Sequence, residues 1–122
     1  IYWAPRYDEL MPRRFRLAAL ILARVMDRPT PRKITLDLGH KRWGIDQGPV
    51  HLFSSPGLEV VKVSEEHTVL EHDGSSSLRI GDPVLIAPRH VCATVNLWEE
   101  FHLVTANGQL QSEPLAVTAR NR

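Results

Sequence analysis

His90 and Cys92 stand two positions apart in PRHVCATVNLWEE, residues 88–100, and Cys92 is the only cysteine in the chain. On an extended segment, residues i and i+2 point to one face, so an imidazole and a thiol at this spacing are placed to grip one metal ion. Neutral imidazole and thiolate suit Zn²⁺, and two protein ligands leave coordination positions open, as a catalytic metal requires. The plainer reading makes Cys92 a small buried hydrophobe and His90 a hydrogen-bonded loop residue. An isolated H-x-C is weak beside the fuller ligand sets of structural zinc sites, so spacing alone leaves both readings open.

Two other stretches carry chemistry-bearing side chains. SEEHTVLEHD gathers Glu65, Glu66, His67, Glu71 and His72 within residues 65–72. These residues suit a second metal-binding or acid/base cluster, or more simply a solvated strand and its turn. On a strand, Glu65 and His67 would share one face and Glu66 would take the other. LDLGHKRW sets Asp37, His40, Lys41 and Trp43 around Gly39. Asp-x-Gly is turn chemistry, with the Asp37 carboxylate in reach of the backbone two residues on. In a more active role Lys41 contacts a phosphate or forms a Schiff base, although no apolar run surrounds it to depress its pKa.

The elements that must position these residues are mostly short strands. Apolar runs at 34–38, 50–53, 58–63, 68–70, 84–87, 101–104 and 115–118 are separated by GP, SPG, DGSSS, GDP and NG turn signals. That spacing predicts an all-β domain, an antiparallel β-barrel or sandwich, over residues 15–122. HDGSSS and ANGQ read as exposed hairpin tips. Residues 1–14 mix Pro5, Pro12, charges and aromatics, and read as an irregular arm or linker lying on another surface. Residues 17–26 are locally ambiguous, because Ala, Leu and Met favour helix while the length before the Pro29 and Pro31 break also suits a strand buried on both faces.

Composition narrows the classes further. A chain of 122 residues supports one domain with one core. A net charge of +1 gives no electrostatic reason to expect nucleic acid or an anionic membrane as partner. One cysteine cannot form an internal disulfide, which points to a reducing cytoplasm. The apolar run at 17–23, bracketed by Arg16 and Arg24, is far shorter than a membrane span. The opening IYWAPRYDEL has no initiator methionine, as expected of a piece of something longer.

Taken in order, LDLGHK, VSEEHTVL and LRIGDPVLIAPRHVCATVNLWEEFHLV resemble the C-terminal domain of the D-serine dehydratase and D-threonine aldolase family, pyridoxal-phosphate enzymes of the alanine-racemase-like fold type. The resemblance covers roughly residues 15–120 and is strongest over 81–96. It implies a strand at 17–26, and an N-terminal α/β barrel, outside this chain, that carries the cofactor lysine. The 122 residues alone would then be inactive. It implies a divalent metal at His90 and Cys92 beside the cofactor, and it turns Glu66, His67, Thr94, Asn96, Asp37 and Lys41 toward the active site. It further implies a homodimer and a D-3-hydroxyamino acid as substrate. Ala93 stands where the family often has proline, and Thr68 where glycine often follows EEH. Cysteine at 92 favours zinc and the dehydratase branch, since aspartate would suit harder ions such as Mn²⁺. In the implied chemistry the cofactor is the electron sink and the metal a Lewis acid at the β-hydroxyl. Aldolase-type Cα–Cβ cleavage, or a free-standing β interaction module without chemistry, are the alternatives.

Overall fold

Ile21, Ala23 and Val25 are buried while Leu22, Arg24 and Met26 face outward, the period of two that a half-buried strand requires. In the computed structural model, which describes residues 5–11, 17–52, 55, 57–118 and 120, this strand is β1, Ile21–Thr30. Packing overrides the helical tendency of Ala, Leu and Met, and one face stays in water, so the strand is not buried on both sides. It also runs past Pro29, because the register pairs Asp27 with Thr35 and Thr30 with Lys33 and asks no hydrogen bond of the proline.

Five more strands complete one antiparallel sheet: β2 (Lys33–Leu36), β3 (His51–Leu52), β4 (Leu58–Val63), β5 (Thr68–His72) and β6 (Pro83–Ala87). Their order is β3-β6-β1-β2-β5-β4, a nearly closed, barrel-like sheet. β1 changes partner half-way along. Ile21 to Arg24 pair with β6, and from Val25 onward β1 pairs with β2. At the handover Arg24 N–H donates to the Asp37 carboxylate (2.7 Å) and Asp37 N–H donates back to the Arg24 carbonyl (3.1 Å). The register shifts beyond Val25 sharpen the local twist, which lets six short strands curl round one core. Ile34, Leu36, Leu70, Val84 and Ile86 fill that core without exposure. Each such side chain contributes roughly 1.5–3 kcal/mol by burial.

β7 (Glu100–Phe101) and β8 (Leu115–Ala116) form a separate two-stranded sheet. Between them the expected ANGQ tip is present, closed by a Val104–Leu110 bridge, with Gly108 at φ 82°. HDGSSS is not a hairpin tip. β5 and β6 are not neighbours, so residues 73–82 cross from one part of the sheet to another. The arm contains one short helix, α1 (Pro5–Leu10), and residues 1–4 and 12–14 lie outside the described residues. No helix among the described residues is long and apolar enough to cross a membrane.

Candidate functional site

The segment that carries His90 and Cys92 is helical rather than extended. α2 (Val91–Val95) follows β6 directly, with His90 as its N-cap residue in β conformation and Asn96 as its C-cap. Val91 and Thr94 point into the protein at the i, i+3 spacing of one helix face. The Thr94 hydroxyl donates to the His90 carbonyl (2.8 Å) and the Thr94 N–H bonds the same oxygen (3.2 Å). Pleat geometry therefore does not relate His90 to Cys92; what they share is the first turn of one helix. The Cys92 thiol is exposed, which also sets aside the buried-hydrophobe reading. Thr94 is buried and its hydroxyl is engaged by backbone, so it anchors α2 instead of facing a substrate. The Asn96 N–H closes the helix on the Cys92 carbonyl (3.4 Å).

Residues 37–46 join the three motif segments. A side chain at Gly39 would overlap the backbone of Glu65 and Glu66, so this position needs glycine for space and not for its ordinary extended φ of −127°. The close approach lets His40 N–H reach the Ser64 carbonyl (2.9 Å) and Lys41 N–H the Glu65 carbonyl (3.1 Å), within a single 3-10 turn, His40–Arg42. On the other side a Cβ at Gly44 would lie 2.6 Å from that of Ala93, and Gly44 N–H donates to the Thr94 hydroxyl (3.0 Å). Trp98 Nε1 donates to the Arg42 carbonyl (2.8 Å), with the Arg42 guanidinium 5.3 Å from the indole centre. One side of the loop is thus tied to the SEEH turn and the other to α2.

The loop also delivers a residue that sequence reasoning missed. Asp46 Oδ2 lies 2.5 Å from His90 Nδ1, across 44 positions of chain. This hydrogen bond holds the Asp46 carboxyl below its ordinary range. Nothing local in IDQG marks Asp46 as a histidine partner, because only the tertiary path of the loop brings the two together.

SEEHTVLEHD does not form an acid/base cluster. Glu65, Glu66 and His67 are exposed in the turn after β4, while His72 is buried at the end of β5 with Nδ1 accepting the Gly74 N–H (2.9 Å). Lys41 Nζ pairs with Glu65 (2.8 Å) and Glu66 (3.1 Å). Hydrogen bonding to Glu65, then to Glu66, raises the Lys41 pKa, the opposite of what a Schiff-base lysine needs; the same bond lowers that of Glu65. Asp37 bonds Arg24 across the β1–β2 handover instead of the backbone two residues on. Among the described residues, no group of three or more His, Cys, Asp and Glu side chains is placed to hold a metal ion. His90 and Cys92 offer the donor types of an open two-ligand site: one ring nitrogen engaged by a carboxylate, the other left over, and an accessible thiol.

A family model described as a putative serine dehydratase domain matches residues 18–104. The chain belongs to this family. Within and around this serine dehydratase domain, the D-threonine aldolase of Arthrobacter sp is 33% identical over 104 residues, 84% of this chain and 27% of that protein. The crystal structure of D-threonine aldolase from Filomicrobium marinum has a TM-score of 0.87 at 32% identity, covering 98% of this chain and 34% of that one. A cysteine-to-alanine mutant of D-threo-3-hydroxyaspartate dehydratase, in the metal-free form, shares the fold at TM-score 0.62 and 20% identity, over 75% of this chain and 30% of that one. The chain spans about a quarter of the length of the curated relatives it matches.

Proposed function

We propose that the chain is the metal-holding β domain of a larger pyridoxal-phosphate-dependent lyase that cleaves the Cα–Cβ bond of D-3-hydroxyamino acids. The likeness to a D-threonine aldolase over 98% of the chain, at 32% identity, carries this reading. Elimination of water followed by hydrolytic release of ammonia, leaving a 2-oxo acid as in a D-serine dehydratase, is the second reading, and the thiol at position 92 favours it. Thiolate is a soft ligand that selects zinc.

In either reaction His90 Nε2 and Cys92 Sγ would hold the zinc ion, which when bound supplies Lewis-acid polarisation of a substrate oxygen. The rest is the work of this chain's own residues. Asp46 orients the imidazole, Thr94 anchors the first turn of α2, and the exposed thiol stands where a second domain can cover it. The cofactor belongs to that second domain, the chain's own N-terminal barrel, in a homodimeric cytoplasmic enzyme.

The test is turnover by the full-length parent supplied with pyridoxal phosphate and zinc. D-threonine should yield glycine and acetaldehyde. Formation of 2-oxo acid and ammonia from D-serine, without glycine from D-threonine, would establish the second reading, and turnover of neither would sink both. Cys92→Ala should remove most bound zinc by elemental analysis while leaving cofactor absorbance in place, and Cys92→Asp should shift preference toward Mn²⁺.

A further inference from the structure

We infer that Asp46 is the positioning residue of His90: its carboxylate accepts a hydrogen bond from Nδ1–H, fixes the ring tautomer, and leaves Nε2 as the nitrogen with a lone pair to offer a divalent cation. The inference rests on the metal-holding reading above.

Both ends of the contact are built to stay in place. His90 is held by its carbonyl, which accepts both the N–H and the hydroxyl of buried Thr94. Asp46 ends a loop whose backbone is tied to α2 through Gly44 and Thr94, and Gly44 admits no side chain because Ala93 fills the space. Gln47 Nε2 donates to the same Asp46 oxygen (3.3 Å), so a second donor restrains the carboxylate. The pair itself is half exposed, with 36% of the His90 side chain and 49% of the Asp46 side chain accessible. Exposed ion pairs add little to stability. Orientation is therefore the main consequence of the 2.5 Å contact. A neutral imidazole carries one hydrogen; with that hydrogen committed to Asp46, the lone pair must sit on Nε2. Losing a carboxylate partner that orients a metal-binding histidine typically lowers metal affinity about 10–100-fold.

The experiment uses the full-length parent protein, metal-free, titrated with zinc alone, in wild type and in Asp46→Ala, Asp46→Asn and His90→Ala forms. Asp46→Ala should bind zinc about 10–100-fold more weakly than wild type. Asp46→Asn, which keeps an acceptor but loses the charge, should fall between. Nitrogen-15 signals of the His90 ring, assigned by their loss in His90→Ala, should report hydrogen on Nδ1 in metal-free wild type and a mixed tautomer in Asp46→Ala. A packing role for Asp46 would not move that equilibrium. Zinc affinity within twofold of wild type together with an unchanged tautomer in Asp46→Ala would overturn the inference while the metal-holding reading stands. Zinc binding that survives in His90→Ala would overturn both.

Discussion

Gly39 and Gly44 set how closely the loop 39–46 can approach its two neighbours, and each does so through missing volume. At Gly39 an added methyl meets backbone, which cannot rotate away as a flexible side chain would. Gly39→Ala should therefore destabilise the protein by about 1–3 kcal/mol, read as a lower urea midpoint at unchanged slope. Charge acts on the same loop. Asp46 and Glu65 have lowered pKa values, so their contribution is complete above the ordinary carboxylate range and is lost as pH falls through the depressed values. Lys41 is raised, so its share is full at neutral pH and is lost only as pH rises past the ordinary lysine range. Acid should thus loosen the loop before the core, seen as reduced protection of the His40 and Lys41 amides, relative to their intrinsic exchange rates, at low pH. A Lys41→Met variant should lose the Glu65 part of that pH dependence and keep the Asp46 part.

At the level of elements, α2 and β1 show two outcomes of weak local preference. β1 is decided by its register with β6 and β2, which buries every second residue from Ile21 to Val25. α2 is decided by Val91 and Thr94, which reach the interior together only when residues 91–95 coil. The small β7–β8 sheet differs from both. Its described residues from 102 to 116 are exposed, and it is bridged at few points. Segments with little buried apolar area open at low free energy. Hydrogen exchange should accordingly be fast throughout 100–118 and slowest in β2 and β5, with the ordering preserved as temperature rises. Equal protection in the two regions would mean that the small sheet is held by more than its own few bridges.

For the whole molecule, the outer face of β1 offers Leu22 and Met26 to solvent at 57% and 46% exposure, and Ile80 is 64% exposed near the same strand's partner. Apolar side chains gathered on one surface tend to be covered by another chain or domain. Under the reading proposed above, the expected cover is the rest of the larger enzyme, since the chain spans about a quarter of its curated relatives. The 122 residues by themselves should self-associate, and sedimentation velocity should show a weight-average mass that grows with concentration. Replacing Leu22 and Met26 with Ser should suppress that growth without lowering the unfolding midpoint, since neither side chain belongs to the core.

The strands were legible in the sequence because apolar runs and turn residues are local signals: seven of the eight observed strands overlap runs that Gly and Pro punctuate, and the family follows from motifs whose order is itself local information. Local signals failed wherever long-range pairing chose between two adequate conformations. Residues 91–95 became a helix, Pro29 stayed within a strand, and residues 73–82 became a crossing. The site divides the same way. His90 and Cys92 could be picked from residue type, since few side chains bind zinc. Asp46 could not, because a carboxylate acquires its role from the histidine it meets, and a loop pinned at Gly39 and Gly44 brings that histidine from 44 residues away.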